Sequence, residues 1–413
     1  MPRVFVSASR RLGGALLLGA CCLGMTGALL QSGPAWAQTQ QSVQGDFQRF
    51  IEGLWPEARA RGVSRATFDD AFRGVGPDAK IIALTKKQSE FVRPIWDYVN
   101  GAVSTQRLDR GREIAAQWAD TLASVERRYG VPRSVVLGVW GMETNFGSFV
   151  GNIYSVGALA TLAYSRYRGD FFRNELLTAL QILQQDHIAR SDMLGSWAGA
   201  MGQTQFMPTS FVKYAVDGNG DGKRDIWKSV PDALASTANY LREQGWESGL
   251  PWGFEVDLPT KFDFRNFRQG FASWTKLGLK RMDGRPLPRS GEATLFLPGG
   301  AQGPAFLITH NFAVIKTYNS SDAYAMGVAH LGDRLVGGQP IQALWPTSEP
   351  MLGKEEREEV QRHLVSLGLY SGETDGKFGS KTREAVRNFQ LERGLIPDGY
   401  TNSAVLRELR AAR

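Results

Sequence analysis

The chain has 413 residues, 42% of them hydrophobic and 22% charged, a globular composition that excludes intrinsic disorder and leaves room for more than one core. Its formal charge is +7; Arg3, Arg10 and Arg11 supply three of those charges and leave +4. That mild excess suits an anionic surface, and no Arg/Lys run marks a nucleic-acid groove.

In chain order, the first element is a targeting signal. Arg3, Arg10 and Arg11 form a positive start, Leu12 to Leu30 is apolar, and Ala35-Trp36-Ala37 reads as a small-x-small cleavage site. The predicted signal peptide is residues 1–37, and export to the periplasm follows from it. Cys21 and Cys22, the only cysteines, lie inside it, so the mature protein has no disulfide or thiol chemistry. Leu18-Gly19-Ala20-Cys21 also resembles a lipobox, which leaves a lipoprotein anchored through Cys21 as the alternative. Residues 38–45 are polar and Gln-rich and read as disordered.

Helical periodicity then dominates: helices are predicted at 47–61, 64–72, 111–129, 170–185 and 231–244. A further helix starts near Val131-Pro132, where proline fits the first turn. Along it Val136, Val139, Trp140 and Glu143 fall at i, i+3, i+4 and i+7, which puts Glu143 on the apolar face, with Gly147 as the stop. Burial and the negative end of the helix dipole would both raise the pKa of Glu143, as a general acid requires. A frayed helix end with the carboxylate in water is the other reading.

Two polar segments follow. Residues 195–208, Gly-Ser-Trp-Ala-Gly-Ala-Met-Gly-Gln-Thr-Gln-Phe-Met-Pro, let backbone approach a surface or ligand. In it Ser196 and Gln205 offer neutral groups for sugar hydroxyls; a Gly-rich turn before a helix is the alternative. In residues 217–225, Asp217, Asn219, Asp221 and Gly222 match positions 1, 3, 5 and 6 of a Ca²⁺ loop, with the Lys223 carbonyl next. The twelfth position is Lys228 rather than Glu, and Asp232 could close the site instead. A metal-free turn is the competing reading.

Apolar runs at 294–297, 305–308 and 312–315, separated by Pro, Gly and Asn, read as strands. Tyr318-Asn319-Ser320-Ser321-Asp322-Ala323-Tyr324 places two tyrosines around a polar turn. These suit packing and hydrogen bonding to a sugar, and equally a helix capped at Ser321 over 321–334 with Tyr324 in the core. Gly and Pro residues around 341–353 predict a linker, and helices at 355–367, 380–393 and 401–409 a small C-terminal unit. His187, His310, His330 and His363 are scattered and read as structural.

Taken together, these segments resemble the lytic murein transglycosylase B family. The matching runs are Glu-Thr-x-x-Gly at Glu143, Ala-Leu-Ala-Thr-Leu-Ala-Tyr at Ala158, Phe-Phe-Arg-x-Glu-Leu at Phe171, Ala-Gly-Ala-Met-Gly-x-x-Gln-Phe-Met-Pro at Ala198, the Asp-rich loop, Ala-Asn-Tyr at Ala238 and Tyr-Asn-x-Ser at Tyr318. They fall in family order over residues 45–340. Residues 354–413 resemble a separate peptidoglycan-binding module, marked by Asp375-Gly376-Lys377-Phe378-Gly379 and Asp398-Gly399.

The resemblance implies a mainly α fold: a lysozyme-like catalytic domain with a small β element, plus a three-helix peptidoglycan-binding domain. It implies that the β-1,4 bond between N-acetylmuramic acid and N-acetylglucosamine is cleaved without water, leaving 1,6-anhydro ends. It carries the single catalytic carboxylate onto Glu143 and groove positions onto Ser196, Gln205, Tyr240, Tyr318, Asn319 and Tyr324. A structural Ca²⁺ on Asp217, Asn219, Asp221, Lys223 and Asp232 is also implied, with no organic cofactor, and the implied partners are glycan strands and other wall enzymes. A lysozyme-type hydrolase and a non-catalytic wall-binding protein are the alternatives. A second groove carboxylate would favour the first, and tight wall binding without product the second.

Overall fold

A computed structural model describes residues 35–87 and 93–412. The apolar signal segment and Cys21 lie outside the described residues, and no described helix is long and apolar enough to cross a membrane.

Helix α1 (Ala35–Glu52) runs through residues 38–45, so the expected disorder there is corrected. Half of that stretch is glutamine, a good helix former, and it holds no proline, so the single Gly45 does not stop the helix. The helix expected at 47–61 is two, because Gly53 and Pro56 break it before α2 (Trp55–Ala60). Helix α3 (Arg65–Phe72) starts at Ser64, whose side chain accepts the Thr67 N–H at 3.1 Å. After α4 (Ala79–Lys87) and α5 (Ile95–Ala102), the helix expected at 111–129 is likewise two, α6 (Thr105–Gln117) and α7 (Ala119–Tyr129). The break falls at Trp118 (φ −108°, ψ 24°), where no Gly or Pro announces it.

Then come α8 (Arg133–Thr144), β1 (Ile153–Tyr154), α9 (Ser155–Tyr164), α10 (Phe171–Gln184), β2 (Leu194–Gly195), α11 (Pro208–Tyr214) and α12 (Val230–Glu243). Strands β1 and β2 form a short antiparallel pair. The helices from Phe47 onward share one large core in which Val136, Val139, Leu159, Leu176, Leu234 and Val328 are fully buried.

A β subdomain follows: β3 (Gly253–Asp257), β4 (Arg268–Gly270), α13 (Phe271–Lys276), β5 (Lys280–Arg281), β6 (Glu292–Phe296) and β7 (Ala305–Ile308). Its antiparallel sheet has the order β4-β6-β7-β3-β5 and closes over Phe271 and Trp274. The runs at 294–297 and 305–308 fall on β6 and β7. The expected strand at 312–315 is instead α14 (His310–Tyr318), nucleated by the Thr309 side chain accepting the Asn311 N–H at 3.1 Å. An apolar run of four fits a buried strand or a buried helix turn equally well, and the cap decides.

Helix α15 (Asp322–Leu335) packs along α8 and starts at Ser321. The segment after it is fastened down: the Gln342 and Ala343 N–H groups donate to Glu255 at 2.9 and 2.8 Å, and Trp345 lies 6.1 Å from Trp96. Helices α16 (Lys354–Ser366), α17 (Ser380–Glu392) and α18 (Ser403–Ala411) then enclose their own core around Val360, Leu364, Phe389 and Leu409.

Candidate active site

Glu143 sits in the last turn of α8, a helix whose residues Val135 to Gly141 are all buried. Glycine lets α15 come against it. A Cβ on Gly138 would lie 2.2 Å from the Val328 carbonyl oxygen, and one on Gly332 would lie 2.3 Å from that of Ser134. The two backbones touch where these side chains are missing, and the start of α15 is thereby brought beside the end of α8. There the Tyr324 hydroxyl donates to Glu143 Oε1.

The turn that ends α8 is unusual. Asn145, Phe146 and Gly147 all have positive φ (49°, 59° and 75°), a conformation costly for phenylalanine. Tertiary contacts over-determine it. Phe146 packs edge-on against Trp140 at 5.9 Å, and Thr144 Oγ1 accepts the Gly147 N–H at 3.1 Å and lies 3.2 Å from the Gln203 carbonyl. Gln203 is the hub: its Oε1 accepts from Trp140 Nε1 at 3.0 Å, and its Nε2 donates to the Trp227 carbonyl at 3.2 Å. It joins the glutamate helix to the loop at 201–206. The sequence reading singled out Gln205 in the same loop and passed over Gln203. A Gln inside a Gly-rich run was the available signal.

Burial pushes the Glu143 carboxyl up to about 7, against the Tyr324 hydrogen bond, which favours the anion. Burial, with the Glu143 charge beside them, also raises the tyrosine hydroxyls of Tyr324 and Tyr318 well above their ordinary value. Tyr98 of α5 is raised by burial first and then by Glu143, with Arg107 pulling the other way. No second carboxylate acts on Glu143 among the described residues. Two further buried acids are engaged elsewhere. Glu175 accepts the Thr209 N–H at 2.9 Å and its Oγ1 hydroxyl at 2.7 Å at the start of α11, and Asp333 accepts Trp252 Nε1 at 3.0 Å. Asp192 pairs with Lys228 at 2.6 Å.

The other predicted groove residues divide into two groups. Gln205, at φ 50°, donates to the carbonyls of Val150 (3.2 Å) and Gly202 (3.0 Å), which ties the loop after Glu143 to the 201–206 loop. Ser196 lies in a tight turn, with its Oγ accepting the Ala200 N–H at 3.2 Å, and stays partly exposed. Tyr318 is half-buried, its hydroxyl donating to the Thr204 carbonyl at 2.9 Å. Tyr324 is capped by Ser321 and packed in the core as well as bonded to Glu143, so both readings of that segment hold. Tyr240 and Asn319 stand back from this centre. Tyr240 is only 9% exposed, donates to the Thr317 carbonyl at 2.7 Å and packs edge-on 4.7 Å from Tyr318, which makes it a brace for that ring. Asn319 is exposed and accepts the Ser321 N–H at 3.2 Å. Phe149, unremarked in the sequence, is a 73% exposed apolar side chain on the loop after Glu143 that Gln205 holds.

Between α11 and α12, carboxylate oxygens of Asp217, Asp221 and Asp232 lie within 4.8 Å of one another. Asp232 is fully buried and accepts N–H groups of Gly218 (3.0 Å) and Asp225 (2.8 Å); Asp217 accepts those of Gly220 and Gly222 at 2.6 and 2.7 Å. Asn219 closes on Asp221 at 2.9 Å. Three carboxylates this close, one buried, repel unless a cation joins them, so the donor set fits a hard divalent ion. Lys228, at the twelfth position, points to Asp192 instead, and the third carboxylate of the cluster is that of Asp232.

Comparison with known proteins agrees with this architecture. Residues 46–333 match the Transglycosylase SLT domain and residues 353–409 the Putative peptidoglycan binding domain. Over 237 residues the chain is 35% identical to the membrane-bound lytic murein transglycosylase B of Escherichia coli K12, spanning 56% of this chain and 64% of that protein. The structure of SltB3 from Pseudomonas aeruginosa with NAG-anhNAM-pentapeptide superposes with a TM-score of 0.82 at 46% identity, over 88% of this chain and 99% of that one. The Escherichia coli lytic transglycosylase Slt35 in complex with calcium gives 0.58 at 28% identity, over 70% and 92%.

Proposed function

The chain belongs to the transglycosylase SLT family, and we propose that it is a lytic transglycosylase that cuts peptidoglycan glycan strands with Glu143 as both acid and base. The observation that carries this reading is a single buried carboxyl held near pKa 7 and bonded to one tyrosine hydroxyl. Near neutral pH such a group is populated in both protonation states, as one residue serving two proton transfers requires.

In the first step protonated Glu143 donates to the glycosidic oxygen as the C1–O bond of the muramic acid breaks. The 2-acetamido oxygen of the same sugar closes on C1 and carries the positive charge. In the second step the Glu143 carboxylate takes the proton of the C6 hydroxyl while O6 attacks C1 and displaces the acetamido oxygen. The 1,6-anhydro ring is formed and Glu143 is protonated again. Tyr324 steadies the anion between steps. A hydrolase of the usual two-carboxylate kind would need a second acid facing Glu143, and the tyrosines stand there instead. Gln205, Ser196 and the exposed face of Phe149 are the groups offered to the sugar rings.

Asp217, Asn219, Asp221, the Lys223 carbonyl and Asp232 would hold Ca²⁺, whose part is to neutralise the loop and pin α11 to α12. The positive, apolar, Ala-Trp-Ala pattern of residues 1–37 supports export to the periplasm, with anchoring through a lipidated Cys21 as the alternative. Mass spectrometry of the exported N-terminus separates those two.

The test of the activity is mass spectrometry of soluble fragments released from purified sacculi. Fragments ending in 1,6-anhydro-muramic acid, absent with Glu143→Gln, are expected. Reducing-end muramic acid would make the protein a hydrolase.

A further inference from the structure

We propose that Arg383, in the C-terminal module, is a positioning residue for the catalytic centre: through Asp322 it fixes the first turn of α15 and so keeps the Tyr324 hydroxyl on Glu143. The inference rests on the assignment of Glu143 above.

The body of α15 is held by its close contacts with α8, from Val328 against Gly138 to Gly332 against Ser134. Its first turn, which carries Tyr324, precedes those contacts. Asp322 opens that turn with its side chain 10% exposed. Oδ1 lies 2.7 Å from Lys316 Nζ, as an ion pair rather than an aligned hydrogen bond, and Oδ2 meets the Arg383 guanidinium. Lys316 stands two residues before Tyr318, and Asp322 two before Tyr324. One buried carboxylate therefore ties together the ends of the two helices that present the site tyrosines. Burial alone would lift the Asp322 carboxyl. Arg383 and Lys316 together bring it below its ordinary value, the charge of Arg383 being the largest single lowering influence.

Arg383 is fixed in turn. Its guanidinium lies over the Phe296 ring at 5.2 Å and within 3.5 Å of the Phe378 carbonyl. Other residues carry the docking of the module itself. Arg387 donates to the Phe264 carbonyl at 2.5 Å and lies over Phe267 at 4.0 Å, and Asp398 accepts the Ala301 N–H at 2.9 Å. Arg387 and Asp398 thus hold the module without touching Asp322, whereas Arg383 holds it through Asp322. A cleft of about 620 Å³, lined by Lys316, Asp322, Arg383 and Arg387, runs along this contact. It gives an unpaired Asp322 water to turn toward, so losing Arg383 shifts the turn rather than collapsing the core.

The groups that face Glu143 are Tyr98 of α5 with Arg107 of α6 beside it, Tyr318 of α14 and Tyr324 of α15. Only the Tyr324 hydrogen bond depends directly on the turn that Asp322 opens. Weakening it disfavours the Glu143 anion and moves the alkaline limb of the kcat/KM profile to higher pH.

The experiment compares Arg383→Met, Arg383→Lys and Arg387→Met in the mature full chain, acting on a soluble glycan-strand oligomer. Arg383→Met is expected to lose about tenfold in kcat with little change in KM. Its alkaline limb should move in the same direction as that of Tyr324→Phe. Arg383→Lys should recover most of the rate, and Arg387→Met, which loosens docking alone, should keep wild-type kcat and limb. Asp322→Asn replaces Arg383→Met, with the same expectations, if the latter does not fold. A kcat within twofold of wild type with an unmoved limb overturns the proposal, as does an equal shift in Arg387→Met. If Glu143→Gln stays active, the catalytic assignment itself has failed; if it is dead and Arg383→Met is normal, this inference alone has.

Discussion

Replacing Glu143 with glutamine exchanges a titrating carboxyl for a neutral amide of the same shape. It should remove nearly all turnover while stabilising the protein at alkaline pH. The folded carboxyl is pushed up from 4.5 to about 7, chiefly by burial. Below pH 4.5 the group is protonated in both the folded and the unfolded chain and costs nothing. Between 4.5 and 7 the unfolded chain releases its proton while the folded one retains it, so the advantage of folding drains away as pH rises. Above 7 the full difference is spent, at most roughly 3 kcal/mol for a shift of this size, because the side chain keeps an edge open to solvent. Glutamine does not titrate, and its amide oxygen still accepts from Tyr324. Variant and wild type should therefore melt together at pH 4, and the variant should melt a few degrees higher at pH 8. The helical core and the C-terminal module are both helical but have separate cores, so circular dichroism should be fitted as two transitions, with the pH-dependent shift confined to the one that carries most of the helix signal. A melting difference equal at the two pH values, or a variant less stable at pH 8, would refute the argument that burial sets this pKa. Turnover should fall by about 10²-fold or more.

Much of this was legible in the sequence because the signals were local. The i, i+3, i+4, i+7 spacing that puts Glu143 on an apolar face needs only the helix period, and Ser64 and Ser321 announced their helices by their own side chains. What failed was set by a cap lying outside the apolar run or by longer-range contacts. Residues 312–315 are equally apolar as strand or helix, and the Thr309 cap, not the run, makes them α14. Trp118 breaks α6 from α7 with nothing in the local sequence to mark it. Tyr240 was grouped with the groove tyrosines, yet its place behind Tyr318 depends on a bond to Thr317, 77 residues away. Gln203 escaped for the same reason: its importance lies in joining Trp140 to Trp227 across the fold. Glycine is a poor helix former, yet Gly138 and Gly141 of α8 make the surface on which α15 is seated.

Tyr324→Phe removes the hydrogen bond that favours the Glu143 anion, so the alkaline limb of kcat/KM should move to higher pH; an unmoved limb would mean that the bond does not act on the titration. Stripping Ca²⁺ from protein first shown by elemental analysis to carry it should lower the melting temperature, by about 2.7 kcal/mol of linkage when free ion stands 100-fold above Kd. Asp232→Asn should abolish that response, and an unchanged melting curve after chelation would count against a structural ion. Gly138→Ala sets two effects against each other. Alanine in mid-helix is worth up to about 1 kcal/mol over glycine, but its Cβ would lie 2.2 Å from the Val328 carbonyl oxygen, and backbone cannot swing aside as a side chain can. Steric cost, about 1–3 kcal/mol for overpacking, should win. Because relief requires α15 to move off α8, kcat should fall with stability, although Gly138 is more than a helical turn from Glu143. A Gly138→Ala variant more stable than wild type and fully active would show that the two helices are not held by backbone contact, and that Tyr324 reaches Glu143 by some other constraint.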